Sequence, residues 1–157
     1  MNDPDFSNTM MLSTVGNDLR PSARVVLLKE VKDGGFIFYT NFKSQKGKQI
    51  IENPFVSLTF FWKDLERQIR IEGKAVVVSK SESDEYFSSR PFESQIGAWV
   101  SNQSEVVNSR AELDEKFIEL CGDFADQQVK RPHYWGGFKV IPDRVEFWQG
   151  RPNRLND

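Results

Sequence analysis

One group of side chains in the middle of the chain has the types and spacing to hold a phosphate. Tyr86 and Arg90 are four residues apart, which places them on one face of a helix, and Ser94 follows just beyond Pro91. A guanidinium with two hydroxyls can surround a phosphate dianion. The residues alone leave a second interpretation open, in which Arg90 is a surface arginine beside a half-buried tyrosine.

A second possible anion site lies where a helix is predicted to begin. Hydroxyl, amide and amine groups cluster there: Tyr39, Thr40, Asn41, Ser44, Gln45, Lys46 and Lys48. The free N–H groups and the dipole of a helix start attract phosphate. The alternative is a solvated, lysine-rich helix face.

Arg24 and Lys29 add two further cations, both in the segment ARVVLLK. Residues an odd number of positions apart point to opposite faces of a strand, so these two side chains would not share one pocket wall. They could serve two neighbouring anions, or one of them could be a solvated strand end.

Partners for a flat ring are also present, although each signal is weak. Gln68, Gln103 and Ser104 are neutral hydrogen-bonding groups that could meet the polar edge of a heterocycle. Trp148 could pack against the face of such a ring, and Arg154 could cover an aromatic ring or pair with an anion. The alternative for this tail is a strand end followed by a frayed terminus. Together, the groups suggest at least two phosphate-sized anions and a planar heterocycle.

Composition excludes several other chemistries. The chain has one cysteine, Cys121, and one histidine, His133, so no internal disulfide or multi-cysteine metal site can form and no metal site is expected. The net charge of -2 gives no global basic field for nucleic acid. We find neither an apolar run long enough to cross a bilayer nor a signal-peptide pattern, and we expect a cytoplasmic protein. Because the composition offers few residues for hydrolytic or metal catalysis, it favours an enzyme that uses an organic cofactor.

Short strands dominate the elements that must position these residues. Strands are predicted at Thr9–Val15, Ala23–Lys29, Phe36–Thr40, Phe55–Trp62, Arg67–Val78, Tyr134–Ile141 and Arg144–Trp148. Because the segment Ala23–Lys29 is almost continuously apolar, we expect it to be buried on both faces. The last two strands are expected to flank a break at Pro142-Asp143.

Four helices are predicted among these strands. They cover Lys43–Glu52, Ser79 to about Ser88, Pro91–Trp99 and Arg110–Phe124. The first should bury Ile50 and Ile51, and the last has an apolar stripe of Leu113, Phe117 and Leu120. The pattern predicts a mainly β, antiparallel domain with flanking helices, and it favours a small barrel over a sandwich. Neither a βαβ rhythm nor a GxGxxG fingerprint is present.

At these residues the chain resembles the pyridoxamine 5'-phosphate oxidase family. The resemblance runs from about Met10 to Asp157 and is carried by SARVVLLK, FYTNFKSQKGKQ, NPFVSLTFFW, ERQIRIEGKA, YFSSRPFESQIGAWVSNQS, WGGF and EFWQG followed by NRL. The stretch SRPFESQIGAWVSNQS is the most distinctive of these. It separates this family from looser flavin split-barrel relatives.

The resemblance implies one split β-barrel domain over residues 1–157, of the type that binds flavin mononucleotide (FMN), and a homodimer with FMN sites at the subunit interface. The implied FMN-binding residues are Arg24, Val25, Val26, Leu27, Leu28, Lys29, Tyr39, Thr40, Gln45, Lys46, Gln68, Gln103, Ser104 and Trp148. The implied substrate-binding residues are Lys29, Tyr86, Arg90, Ser94, Arg154 and Asn156, with Arg154 also catalytic.

The implied activity is FMN-dependent oxidation of pyridoxamine or pyridoxine 5'-phosphate to pyridoxal 5'-phosphate, with O2 as electron acceptor and H2O2 as by-product. The chain departs from the family pattern at Gln45, where the family usually has arginine, and at Asn156, where it usually has histidine. Both ends are expected to be shorter than the family norm. Three alternatives follow: a related FMN oxidase acting on another ring substrate, a non-catalytic binder of FMN or pyridoxal phosphate, and a β-barrel interaction module.

Overall fold

Seven strands form one sheet in the structure, a computed structural model that describes residues 7–101, 109–125 and 127–157. The strands are β1 (Thr9–Val15), β2 (Pro21–Leu27), β3 (Glu30–Lys32), β4 (Gly35–Asn41), β5 (Phe55–Trp62), β6 (Arg67–Val77) and β7 (Trp135–Gln149). Their order across the sheet is β2-β1-β5-β6-β7-β4-β3. The pairings of β1 with β2 and β5, of β3 with β4, and of β5 with β6 are antiparallel.

The chain forms two compact units. The sheet unit comprises residues 1–38, 49–76 and 138–157, and the helical unit comprises residues 39–48 and 77–137. The expectation of a single domain over residues 1–157 stays a prediction.

Alternating apolar residues build the core of the sheet unit. Leu12 of β1 pairs with Leu58 of β5, which in turn pairs with Ile71 of β6, and all three side chains are almost fully buried. Phe38 and Phe138 add two buried rings 5.8 Å apart. β-Branched and aromatic residues suit this half-buried pleated surface, so the predicted strands at Thr9–Val15 and Phe55–Trp62 form with the expected bounds.

The prediction that the Ala23–Lys29 strand is buried on both faces is wrong. Strand β2 alternates exposed and half-buried residues, and 59% of Val25 and 42% of Leu27 are exposed. The cause is its place at one end of the sheet order, where it pairs with β1. An apolar run therefore did not distinguish a central strand from a terminal one.

The two predicted closing strands are one strand, β7, which continues through Pro142. A Cβ at Gly73 of β6 would clash with the carbonyl oxygen of Ile141 and would lie 2.8 Å from the Cα of Pro142. Because Gly73 has no side chain, the two backbones approach closely at this point. The strand therefore passes the proline without ending.

The described residues include four α-helices: α1 (Gln45–Glu52), α2 (Lys80–Ser89), α3 (Phe92–Val100) and α4 (Arg110–Asp123). The predicted capping box of α2 is confirmed, since the Ser79 hydroxyl accepts from the Glu82 N–H while the Glu82 carboxylate accepts from the Ser79 N–H. In α1, Ile50 is buried as predicted but Ile51 is 64% exposed, so that part of the prediction is wrong. Adjacent residues on a helix lie about 100° apart, and the narrow buried face takes Ile50.

The helical unit has its own apolar core, formed by Phe87, Ile96, Val100, Val129 and Trp135. The predicted stripe of α4 packs against it through Leu113, Phe117 and Leu120. None of the helices in the described parts of the chain is both long and apolar enough to cross a membrane.

Candidate functional site

Three parallel aromatic rings form a stack in the helical unit. The Tyr39 ring lies 3.9 Å from that of Tyr86 and 5.3 Å from that of Trp135, and the planes differ by 11° or less. Tyr39 comes from the end of β4, Tyr86 from α2 and Trp135 from the start of β7. The structure therefore brings together a predicted cofactor residue, Tyr39, and a predicted phosphate residue, Tyr86.

Arg90 lies against this stack with part of its guanidinium buried and unpaired. Its Cζ is 4.7 Å from the centroid of Trp135 and 5.6 Å from that of Phe87. Its Nη1 is buried, and no hydrogen-bond acceptor among the described residues meets it. Burial lowers the pKa of Arg90, and the nearby Tyr86 partly opposes this shift. A buried cationic donor without an acceptor is costly, and an anionic ligand would satisfy it.

The backbone of Arg90 is held by its neighbours. Its N–H donates to the Phe87 carbonyl at 3.2 Å, which ends α2, and its own carbonyl accepts from Nε2 of Gln95 at 2.8 Å. Ser94 lies in the first turn of α3, half-buried. The predicted trio of Tyr86, Arg90 and Ser94 thus sits on one helix–turn–helix segment.

Trp135 is a residue of this site that sequence reasoning quoted only as part of the WGGF motif. Arg131 fixes its position: the guanidinium donates to the carbonyls of Trp135 and Pro132 and pairs with Asp84 of α2 at 2.7 Å. These contacts tie the start of β7 to α2. The signal available in the sequence was a tryptophan directly followed by two glycines, and the structure shows all three residues buried.

The predicted anion cluster at the start of α1 also forms in the helical unit. Nζ of Lys46 lies 3.3 Å from the Thr40 hydroxyl and 3.4 Å from the Ser44 hydroxyl. The Ser44 hydroxyl donates to the Asn41 carbonyl and accepts from the N–H of Gly47. This turn concentrates a cation and hydroxyls in one place, while the predicted Gln45 side chain lies exposed beside it.

Arg24 lies in the sheet unit and faces the β1–β2 pair. Its Nη1 donates to the Thr14 hydroxyl at 2.6 Å and to the Leu12 and Ser22 carbonyls, and its Nη2 donates to the Ser22 hydroxyl at 2.5 Å. Burial lowers the pKa of this guanidinium. Lys29 is exposed and lies beyond the end of β2, where its N–H donates to the Ile37 carbonyl.

The other predicted cofactor residues of this segment follow the strand alternation. Val26 and Leu28 share the half-buried face with Arg24, whereas Val25 and Leu27 are exposed.

Two neighbouring pockets of the sheet unit share Trp148. One, of about 370 Å³, includes Trp62, Gln68 and Trp148, so the structure brings together two predicted flavin contacts. The other, of about 420 Å³, includes the predicted substrate residues Arg154 and Asn156. The first pocket combines three aromatic rings with a few polar groups, as is typical of sites for flat ligands, whereas the second is lined mostly by charged and polar side chains.

The chain around Arg154 folds back on the end of β7. Gln149 and Asp157 exchange two backbone hydrogen bonds, of 3.1 and 3.2 Å. Asn156 accepts from the Arg151 N–H at 3.0 Å, and Arg151 pairs with Asp157. These contacts join the tail to the end of β7. Gln103 and Ser104 lie outside the described residues.

A family model described as pyridoxamine 5'-phosphate oxidase matches residues 5–148. This chain belongs to the pyridoxamine 5'-phosphate oxidase family. The resemblance noted in the sequence is therefore confirmed.

Members of the oxidase family from bacteria are close in sequence. The pyridoxine/pyridoxamine 5'-phosphate oxidase of Gloeothece citriformis is 53% identical over 150 residues, which cover 96% of this chain and 70% of that protein. The protein of the same name from Paraburkholderia phytofirmans is 51% identical over 150 residues, with the same two coverages.

Solved structures confirm the fold. PhzG from Burkholderia lata, in complex with tetrahydrophenazine-1-carboxylic acid, matches with a TM-score of 0.90 and 29% identity over 96% of this chain and 73% of that chain. A pyridoxamine 5'-phosphate oxidase-related, FMN binding protein from Nostoc punctiforme matches with a TM-score of 0.72 and 11% identity, covering 97% and 86%. The expected mainly β, antiparallel split barrel with flanking helices is thus correct.

Proposed function

We propose that this protein binds FMN and oxidises pyridoxamine or pyridoxine 5'-phosphate to pyridoxal 5'-phosphate, passing the electrons to O2 and releasing H2O2. The observation that carries the proposal is the buried, unpaired Nη1 of Arg90 beside the Tyr39, Tyr86 and Trp135 stack. This arrangement supplies a charged donor for a phosphate next to flat apolar surfaces. The names of relatives about 50% identical support the same activity.

The residues present fit an FMN group. Arg24 in the sheet unit and Lys46 in the helical unit are each a cation beside hydroxyls, a setting that suits a phosphate. Gln68 and Trp148 share a pocket that suits a ring edge and a ring face. A bound FMN would supply two-electron redox chemistry, with O2 as the final oxidant.

The chain's own residues are assigned binding and orientation. Lys29, Tyr86, Arg90 and Ser94 hold the substrate phosphate, and this remote binding energy fixes where the reacting carbon lies. Arg154 covers the pyridine ring and excludes water from that face. No side chain is required to hold the transferred hydrogen, because the cofactor carries the difficult step.

A homodimer is part of the proposal. Val25 and Leu27 are exposed on β2, at one end of the sheet order, and exposed apolar side chains there suit an interface between two copies. Sedimentation of the FMN-loaded protein tests this. A species of one chain only, at concentrations where FMN stays bound, would contradict it.

Steady-state turnover tests the activity. Peroxide release is measured with pyridoxine 5'-phosphate, with pyridoxine lacking the phosphate, and with a reduced phenazine carboxylate. The proposal predicts turnover of the phosphate ester at a far lower KM than pyridoxine. Peroxide release only with the phenazine would favour the alternative suggested by the structural match to PhzG.

Gln45 and Asn156, the departures from the family pattern, favour a second candidate: a protein that binds FMN and the phosphorylated pyridine without turnover. Asn156 accepts a backbone hydrogen bond from Arg151 and, unlike histidine, does not titrate near neutral pH. Yellow protein that binds pyridoxal 5'-phosphate but releases no peroxide would support this candidate over the oxidase.

A further inference from the structure

A buried chain of hydrogen bonds lies behind Arg24 in the sheet unit. Thr14 of β1 is directly opposite Ser22 of β2, and their two hydroxyls accept from Nη1 and Nη2 of Arg24. Both hydroxyls also reach Oε1 of Gln49, at 2.7 Å from Thr14 and 2.8 Å from Ser22. Thr14 is 1% exposed and Gln49 is 6% exposed.

The direction of each hydrogen bond in this chain follows from the donors available. A guanidinium only donates, so both hydroxyl oxygens act as acceptors toward Arg24. Each hydroxyl then has one proton left, and Oε1 of Gln49 receives it. Gln49 is thus the terminal acceptor that orients the two hydroxyls, and through them the guanidinium.

The same contacts leave one edge of the guanidinium open. Nη1 and one hydrogen of Nη2 are used by Thr14 and Ser22, while Nε and the second hydrogen of Nη2 meet no acceptor among the described residues. No carboxylate in the described segments lies within ion-pair distance of Arg24. Two parallel N–H groups on an uncompensated cation match the oxygens of a phosphate.

We propose that Gln49 is a positioning residue for the flavin phosphate, acting through Thr14 and Ser22 to hold Arg24 with its Nε–Nη2 edge toward a phosphate monoester. This rests on the proposed function, because it takes FMN as the ligand. Gln49 itself touches no ligand atom. Its effect is to select one orientation of a side chain that otherwise has many rotamers.

The test compares FMN with riboflavin, which has the same ring but no phosphate. Dissociation constants of both are measured on apoprotein by quenching of flavin fluorescence, with Gln49→Met as the main variant. Loss of the orienting acceptor should weaken FMN about tenfold, or about 1.4 kcal/mol, and leave riboflavin unchanged. Ser22→Ala removes the Nη2 link together with its hydrogen bond to Gln49. It should also lower the ratio of FMN affinity to riboflavin affinity, and it serves if Gln49→Met does not fold.

A double-mutant cycle with Arg24→Met separates positioning from general damage. In the Arg24→Met background, Gln49→Met should have no further effect on the FMN-to-riboflavin ratio, because Gln49 acts through Arg24. Val140→Ala, a buried change in the same unit outside the hydrogen-bond chain, controls for lost stability and should leave the ratio unchanged.

The outcomes distinguish a failure of Arg24 as a phosphate-binding residue from a failure of Gln49 as its positioning residue. If Arg24→Met leaves the ratio unchanged, Arg24 does not bind the FMN phosphate and that part of the proposed function fails. If Arg24→Met lowers the ratio but Gln49→Met does not, or if the two effects simply add, only the positioning role of Gln49 is overturned.

Discussion

Replacing Arg90 with methionine should separate substrate binding from protein stability. Arg90→Met keeps an unbranched apolar stem against Trp135 and Phe87 but removes the charged donors. A charge-assisted hydrogen bond contributes about 1.5 to 3 kcal/mol, so the KM for pyridoxine 5'-phosphate should rise roughly 10- to 150-fold. The value of kcat should change little, because Arg90 is assigned to the phosphate and not to the reacting carbon.

The free energy of unfolding of the Arg90→Met apoprotein should not fall by much. Losing the cation–π contact costs roughly 0.5 to 2 kcal/mol. Removing a buried N–H without an acceptor recovers roughly 1 to 3 kcal/mol, which offsets that cost. The free energy of unfolding should therefore fall by no more than about 1 kcal/mol, and it could rise.

Peroxide-coupled kinetics and urea unfolding measure the two quantities. Arg110→Met is the matched control, since Arg110 is 84% exposed and pairs, among the described residues, with Asp114 four positions away; it should alter neither the KM nor the free energy of unfolding. An Arg90→Met enzyme with unchanged KM would remove Arg90 from the phosphate site. A large loss of stability would instead show that its role is structural.

Three further changes probe other parts of the structure. Arg154→Lys keeps the charge but loses the planar guanidinium, so kcat/KM should fall at least tenfold; near-normal steady-state kinetics would exclude Arg154 from the mechanism. Ser79→Ala removes the capping box of α2 and should cost about 1 kcal/mol in urea unfolding, and an unchanged midpoint would contradict the cap. Gly47→Ala would place a Cβ 2.5 Å from the Phe42 carbonyl oxygen and should lower Tm by several degrees; a Tm equal to that of the parent would refute this close packing.

Local patterns predicted most of the elements because their causes are local. Period-two apolar residues place β1 and β5, and the Ser79-to-Glu82 spacing places the start of α2. The two wrong strand predictions depended on where a strand lies in the sheet and on which strand it meets. The apolar content of β2 does not reveal that the strand ends the sheet, and Pro142 does not reveal that Gly73 lets β7 continue past it.

The candidate site was likewise predicted where its determinants are close together in sequence, and missed where they are far apart. The four-residue spacing of Tyr86 and Arg90 predicted two neighbouring side chains on one helix, although Arg90 caps α2 in an extended conformation instead of continuing it; the family resemblance named their roles. Neither source assigned a role to Trp135 or Gln49, because the contacts that matter join residues far apart in sequence. The Gln49 amide reaches Thr14 across 35 positions, a contact that only the folded chain shows.

The central claim is that a phosphorylated pyridine reduces a flavin held by this protein. The direct measurement is the visible absorbance of the FMN-loaded protein, titrated with pyridoxamine 5'-phosphate in the absence of oxygen. The account predicts that the yellow colour bleaches stoichiometrically and returns when air is admitted. Protein that takes up FMN but keeps its full colour at saturating pyridoxamine 5'-phosphate would contradict the claim.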